Sequence, residues 1–410
     1  MADPLVESIG QRNLLVFLIP VENMDIDDLL AQLFPHSAID VEDGKIVAVY
    51  KKTLPEAEEG IQIIDGAGCY AAPGFVDIHI HGGDGVNFTS AETAEEIRKG
   101  CAAHAQHGTT TILPTCSTAK VSRMAGMIAA AREAQKITTE CTIAGVHLEG
   151  PFFSLAQAGA QDPSTIIDPS VEVLDTLEAA WPGGIRIMGV APERPGGVAF
   201  GKELVKRGIR ATIAHSDADY NTCVAAIENG YSDVTHLYSG CSIVHRVNAY
   251  RIGGVVEAGL LEDGLTVQII ADGKHLPPEL LRLIFKCKGP NMISLITDAL
   301  FPSATDMPEG TAVKSESGAV IVLEDGVMKL EDRQAFAGSI ATTDRLVRNM
   351  VELAGVSVCD AVTMMTATPA RVVGIDDHKG YIRPGYDADI VLLDKDLQVK
   401  SVMAMGNIIV

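Results

Sequence analysis

Six of the eleven histidines in this chain stand where apolar runs end, and acidic residues stand beside them. The pattern begins with His79-Ile-His81 and continues with His147-Leu-Glu149, His215 and His236. His275 follows a further run closely, and Asp298 ends the last one. In a strand, residues i and i+2 lie on the same side, so His79 and His81 point the same way. Imidazoles and carboxylates converging on one face form a site for a divalent transition metal. Zinc suits that donor set first, and iron, manganese or cobalt are accepted by the same ligands. A single histidine at a strand end is ordinarily a hydrogen-bonded structural residue, but six in register are not explained that way. His147 is the weakest member, because a residue two positions before Glu149 can pack as readily as it can ligate. His104 and His107 lie three apart on a helical stretch and read as surface or capping residues. His36, His245 and His378 fall in loops. Cys116, closing the second run, is either a small buried hydrophobe or a neighbour of the metal.

Eight strand-like runs are needed to carry these residues, and eight are present: Val76–His81, Thr110–Pro114, Ile143–Glu149, Ile185–Val190, Arg210–His215, Asp233–Leu237, Thr266–Ala271 and Met292–Thr297. Helical stretches alternate with them, at Ala91–Gln106, Lys120–Lys136, Ala199–Lys206, Asn221–Glu228 and Pro278–Lys286, and two more follow at Ala341–Leu353 and Val358–Thr366. Such alternation predicts an α/β fold, a (β/α)₈ TIM-like barrel, whose chemistry sits at the C-terminal ends of the strands. The barrel is expected over residues 73–376. Short β-rich runs at both ends, among them Leu14–Ile19, Ile46–Tyr50, Asp389–Leu393 and Val402–Val410, predict a small β-sandwich from residues 1–72 and 377–410. Val41–Val47 reads as a hairpin with Gly44 in the left-handed turn position. The stretch Asp25–Ala38 looks partly helical and has no clear place in that sandwich.

Composition narrows the class of partner. The chain has 410 residues, with 32 basic and 54 acidic side chains and a formal net charge of −22. A surface that negative repels phosphate backbones and anionic lipid, which argues against nucleic-acid or membrane partners. A phosphorylated substrate would need a local positive site. Leu14–Ile19 is too short to span a bilayer and no basic segment precedes it. Eight cysteines without a CxxC pair suit reduced thiols, so a cytoplasmic location is expected.

The segment Ala72-Pro-Gly-Phe-Val-Asp-Ile-His-Ile-His81 resembles the opening motif of the amidohydrolase superfamily. His147-Leu-Glu-Gly-Pro-Phe-Phe153 resembles the third-strand motif of the N-acetylglucosamine-6-phosphate deacetylase family, and is the most specific element. Further similar segments are Ala214-His-Ser-Asp-Ala218, Thr235-His-Leu-Tyr238, Ile270-Ala-Asp-Gly-Lys-His275, Leu295-Ile-Thr-Asp-Ala299 and Ala337-Gly-Ser339. The likeness runs from about Gly44 to Arg383-Pro-Gly-Tyr-Asp-Ala-Asp-Ile390. It implies that Glu149, His215 and His236 hold the principal metal, and that His79 and His81 hold a second ion in members that keep the pair. Asp298 is implied as the catalytic carboxylate and Gln161 as the residue near the acetamide carbonyl. His275 and the loop after His236 are implied to hold the sugar phosphate. That loop departs from the family: Ser239 and Gly240 replace an Asn-Ala pair, though both can offer N–H groups to an anion. A family arginine contributed by a neighbouring subunit has Arg246 as its first candidate here and Arg251 as its second. The resemblance thus implies a homodimer with shared active sites.

The expected chemistry is hydrolysis. Three protein ligands leave zinc an open position, where bound water has a pKa of about 7. Asp298 would take the water proton and return it to the departing amine of an N-acetyl hexosamine 6-phosphate. Gln161, His275 or the metal would stabilise the oxyanion. The fourth run, Ile185-Arg-Ile-Met-Gly-Val-Ala-Pro-Glu193, has no lysine, which argues against a carbamate-bridged centre of the hydantoinase or urease type. Two alternatives remain: an N-acyl-D-amino-acid deacylase, which pairs a cysteine such as Cys116 with the His-x-His, and a non-enzymatic scaffold, disfavoured by the full ligand set.

Overall fold

The computed structural model describes residues 12–17, 37–51, 62–66, 68–315 and 318–410. Its centre is a parallel sheet of eight strands: β1 (Phe75–Ile80), β2 (Thr109–Cys116), β3 (Val146–Phe152), β4 (Ile185–Val190), β5 (Arg210–Ile213), β6 (Tyr231–Val234), β7 (Thr266–Ile269) and β8 (Ile293–Leu295). Each pairs with the next in chain order. Beyond β8 the Asp298 N–H donates to the His79 carbonyl at 2.9 Å and the Thr297 hydroxyl to the Asp77 carboxylate at 2.5 Å, which closes the barrel. All eight expected runs are therefore strands of one barrel, in the expected order.

Helices α1 (Ala94–Ala105), α2 (Val121–Ile137), α3 (Val171–Ala180), α4 (Gly197–Lys206), α5 (Tyr220–Glu228), α6 (Val255–Leu261) and α7 (Pro278–Lys288) fill the crossovers, and α8 (Thr343–Glu352) follows β8. α1 starts where Thr93 and Glu96 cap each other's backbone N–H groups, so two orphan donors are satisfied at once. The apolar stripes of the helices and the outward residues of the strands share one core, which includes Ile112, Leu148, Ile213 and Leu346. Sequence reading missed α3 and α6. α6 is seven residues long with a glycine inside it, too short for a helical period to emerge.

The chain ends build two four-stranded sheets. Lys45–Lys51, Ser37–Glu42, Arg12–Phe17 and Gln62–Asp65 form one; Asn407–Ile408, Val399–Ala404, Ile390–Leu393 and Tyr70–Pro73 form the other. Ile39, Val41 and Ile46 of the first pack on Ile390, Leu392 and Met403 of the second. Asp43 and Gly44 turn the hairpin with φ of 50° and 75°, as expected for a two-residue loop. Most of the stretch 25–38 lies outside the described residues. Buried Lys379 joins this layer to the barrel: its Nζ lies 2.7 Å from Asp389, 2.9 Å from Asp387 and 2.9 Å from the Thr142 hydroxyl.

A second antiparallel sheet had no counterpart in the sequence reading. Ala312–Lys314, Val320–Glu324, Val327–Leu330 and Phe336–Gly338 form a four-stranded flap between β8 and α8. Asp325 and Gly326, at φ 57° and 71°, turn its central hairpin, and that Asp-Gly pair between apolar runs was its one local signal.

Candidate active site

The site is built where the strands stop. His79 lies on β1 and Glu149 on β3, both buried. His81 follows the last residue of β1. His215 and His236 were expected inside their strands, but β5 ends at Ile213 and β6 at Val234. Asp298 likewise lies beyond Leu295. All three have left-handed backbones, with φ of 42°, 26° and 47°. That conformation is uncommon outside glycine, though Asp and His adopt it more readily than most residues. Here the chain turns over the mouth of the barrel at the residues that face into it.

The side chains converge on Glu149. Its Oε1 lies 3.1 Å from His215 Nε2 and 2.9 Å from His236 Nε2, and 3.6 Å from His79 Nε2. Its Oε2 lies 3.2 Å from His81 Nε2. On the other side, Asp298 Oδ1 stands 3.4 Å from His79 Nε2 and 3.2 Å from His81 Nε2, which are themselves 3.1 Å apart. Two groups thus have donor atoms close enough to share an ion: His79, Glu149 and His236, and His79, His81 and Asp298.

The second nitrogen of each ring shows why a cation belongs there. His215 Nδ1 meets the Gln157 carbonyl at 2.8 Å, and His236 Nδ1 meets the Ser239 carbonyl at 3.0 Å. A carbonyl only accepts, so both Nδ1 atoms carry a proton, and both rings turn Nε2 toward Glu149 Oε1. A carboxylate oxygen this close to each Nε2 calls for positive charge between them, either a ring proton or a metal ion. His79 Nδ1 faces Gln268 Oε1 at 3.3 Å in the same manner, and His81 Nδ1 faces Ser117 Oγ at 3.0 Å. These partners orient the rings as metal ligands are usually oriented. Electrostatics agree. Burial works against a charged His81, yet the Asp298 and Glu149 carboxylates outweigh it and raise its pKa to about 10. Burial likewise opposes an ionised Glu149, but the surrounding imidazoles hold it well below the carboxylate range. The donor set fits a divalent metal, and the amidohydrolase chemistry it suits is metal-dependent.

Around this centre is a cavity of about 220 Å³. Gln161, Ser239, Gly240, His275 and Asp298 line it. Gln161 is engaged at both ends, donating to Glu149 Oε2 at 2.6 Å and accepting from the Thr118 N–H at 3.0 Å. His275 Nδ1 is held by Asp272 at 2.8 Å. Burial tends to raise the Asp272 pKa, but the His275 ring and nearby N–H groups keep it below its ordinary value. The Ser239 N–H closes its own turn onto the His236 carbonyl. Arg246 and Arg251 are not brought into the cavity. They face each other across an exposed hairpin, His245–Val247 with Tyr250–Ile252.

Other candidates fall elsewhere. His147 donates from Nδ1 to the Ile78 carbonyl at 2.9 Å and packs edge-on to His79, a packing role. His104 was expected at the surface and is instead fully buried on α1, with Nε2 on the Gly82 carbonyl at 2.9 Å; α1 presses this face on the loop after β1. Cys116 belongs to the apolar layer behind β2 and does not line the cavity. Sequence reading missed Glu193. Its carboxylate accepts from the Ser216 hydroxyl at 2.7 Å and the Asp217 N–H at 2.6 Å, clamping the turn that carries His215. Only its place at the end of β4 could have pointed to it.

Comparisons with known proteins agree with this geometry. A model of the amidohydrolase family matches residues 70–409. An N-acetylgalactosamine-6-phosphate deacetylase from Escherichia coli O157:H7 is 30% identical over 370 residues, 90% of this chain and 93% of the relative. An N-acetylglucosamine-6-phosphate deacetylase from Bacillus subtilis (strain 168) is 31% identical over 383 residues, 92% of this chain and 93% of the relative. Among solved structures, an aspartate-to-alanine variant of the N-acetyl-D-glucosamine-6-phosphate deacetylase from Mycobacterium smegmatis, in complex with N-acetyl-D-glucosamine-6-phosphate, superposes with a TM-score of 0.86. It is 30% identical, and the match covers 98% of this chain and 100% of that one. From its barrel, its ligand cluster and these relatives, the chain belongs to the amidohydrolase family.

Proposed function

We propose that the protein hydrolyses the acetamide of an N-acetyl hexosamine 6-phosphate, releasing acetate and the amino sugar phosphate. The observation that carries the reading is Glu149 Oε1 between the Nε2 atoms of His215 and His236, with Asp298 Oδ1 3.2 Å from His81 Nε2 in the same cavity. Glu149, His215 and His236 would hold the principal ion, zinc by preference, and His79 and His81 with Asp298 a second. When bound, such a metal polarises the amide carbonyl and makes water a nucleophile at neutral pH. Asp298 accepts the proton of the attacking water and passes it to the departing nitrogen. His275, its Nδ1 anchored on Asp272, is left with Nε2 as the atom that meets the substrate, where it accepts from a sugar hydroxyl. Gln161 keeps Glu149 in its ligating orientation. The barrel over 73–376 carries the chemistry, and the described strands of the segments 1–72 and 377–410 form a supporting sandwich.

The phosphate is read as bound in part by a second copy. No lysine or arginine lines the cavity among the described residues. Arg246 and Arg251 sit on a hairpin that exposes Ile243, Val244, Val247 and Tyr250, the last at 76%. A homodimer would bury those side chains and could bring Arg246 to the neighbouring cavity, beside Ser239 and Gly240. No helix of the described residues is long and apolar enough to cross a membrane. We read the protein as cytoplasmic from its eight cysteines, which form no disulfide.

The test is acetate release by metal-replete protein from N-acetylglucosamine 6-phosphate, its galacto epimer, the unphosphorylated sugar and an N-acyl-D-amino acid. A strong preference for a sugar phosphate supports the proposal. Turnover of the acyl amino acid alone would overturn it in favour of a deacylase.

A further inference from the structure

The flap after β8 gives the cavity two chemically unlike walls. One carries the ligands, Asp298 and His275. The other is apolar, with Leu300, Phe301, Ile321, Ala335, Phe336 and Ala337. The flap has its own small core, Ile321, Leu323 and Met328, packed on Leu300 and Phe301. Its last strand is tied to the site itself: the Ser339 N–H donates to the Asp298 carbonyl at 3.0 Å, and the Leu300 N–H to the Ser339 carbonyl at 2.9 Å. Gly338 makes this approach possible. It has φ 136°, and a Cβ there would lie 2.9 Å from Leu300 Cγ and 3.1 Å from the Asp298 oxygen.

Phe336 lies outside that small core, although it belongs to the same sheet. It is 38% exposed where it lines the cavity, and its ring leans on His275 with centroids 4.7 Å apart and planes at 49°. An exposed aromatic face beside a ring of hydrogen-bonding groups matches a flat molecule with one apolar face and a polar rim. A pyranose is such a molecule. Its axial C–H groups suit the electron-rich face of an aromatic ring, and its hydroxyls point outward to donors and acceptors.

We propose that Phe336 is a specificity residue, the seat for the C–H face of the substrate's pyranose ring, selecting cyclic amino sugars over other acylated amines. The inference rests on the deacetylase reading above. The test uses the full-length, metal-loaded protein and its Phe336→Ala, Phe336→Leu and Phe336→Tyr variants. Each is assayed on N-acetylglucosamine 6-phosphate or its galacto epimer and on O-phosphoryl N-acetylethanolamine, which has the amide and phosphate but no ring. Phe336→Ala should raise KM for the sugar about tenfold, while KM for the acyclic phosphate moves less than about threefold. Phe336→Tyr, which keeps the aromatic face, should recover most of the loss, and Phe336→Leu, which keeps bulk and fold, should not. Sugar affinity in an Asp298→Asn background, by calorimetry, should weaken in parallel. Equal losses on both substrates, or a fall in kcat with KM unmoved, would show Phe336 acting only through His275 and would overturn the proposal. If the parent protein turns over neither sugar phosphate, the deacetylase reading falls and this inference with it. If the parent is active on the sugar and Phe336→Ala binds it equally well, the inference alone falls.

Discussion

At the scale of single residues, charge decides what the site can do. Two imidazole nitrogens and a carboxylate oxygen meet within 3.1 Å at Glu149, an arrangement that calls for positive charge between them and suits a metal ion. Glu149→Gln or His215→Asn should therefore lose the principal metal, which elemental analysis of the purified variants will show. Asp298 has a different duty. Asp298→Asn should keep at least the ion held by Glu149, His215 and His236 yet lower kcat by roughly 10²–10⁴, the ordinary worth of a positioned general acid–base group. Near-normal turnover by that variant would remove Asp298 from its role. Gln161 and His275 belong to the same scale, since both are oriented by protein neighbours before any substrate arrives.

At the scale of elements, the turns beyond the strands matter more than the strands. Glu193 closes the turn after His215, and the Ser216 N–H of that turn donates to the Gly240 carbonyl at 3.0 Å. One carboxylate thereby steadies both a ligand and the loop after His236. Glu193→Ala should weaken metal affinity by about 10–100-fold, the usual cost of losing a residue that orients a ligand, measurable by chelator competition. Gly150 shows the same dependence on backbone. It has φ 107°, and a Cβ would stand 2.2 Å from Thr118 Oγ1. Gly150→Ala should lose at least about 2 kcal/mol in urea unfolding, because strain and overpacking act together.

At the scale of the whole molecule, the two chain ends must be held to the barrel. Lys379 is buried between Asp387 and Asp389, so Lys379→Met would leave two carboxylates facing each other, at a cost of about 3–5 kcal/mol. Asp387 also sets a pH dependence. Burial would raise its pKa, but Lys45 and Lys379 hold it below the ordinary value. The folded state therefore binds fewer protons near pH 4 than the unfolded one. This contribution is complete above the unfolded value near 4 and disappears as pH falls through the depressed one. Lys379 is raised in turn, with burial opposed and outweighed by Asp389 and Asp387, so its share is present below about pH 10.4 and lost at higher pH. Thermal unfolding of parent and Lys379→Met across pH 3–8 should converge toward the acid end. If a dimer completes the phosphate site, mixing Arg246→Ala with Asp298→Asn should restore activity at low substrate that neither variant shows alone. Failure to complement in confirmed mixed dimers would place the phosphate contact within one chain.

Much of this was legible without a structure. Eight apolar runs alternating with helices follow from local periodicity, and the barrel follows from them because a parallel strand needs a crossover to return. Once the strands lie side by side, the residues ending them must share one mouth, so His79, His81, Glu149, His215, His236 and Asp298 could be named from position alone. What local pattern cannot carry is direction and distance. Burial of His104 depends on how α1 rests on the loop after β1, and the inertness of His147 depends on a carbonyl from β1. The left-handed turns at His215, His236 and Asp298 leave no mark in the periodicity of the sequence, and the one after His215 is held by Glu193 from a different loop. Phe336 reads in sequence as one apolar residue near a glycine. Only the folded flap, hydrogen-bonded to the Asp298 backbone, makes it a wall of the site, because tertiary contacts decide which apolar side chains are buried and which face a ligand.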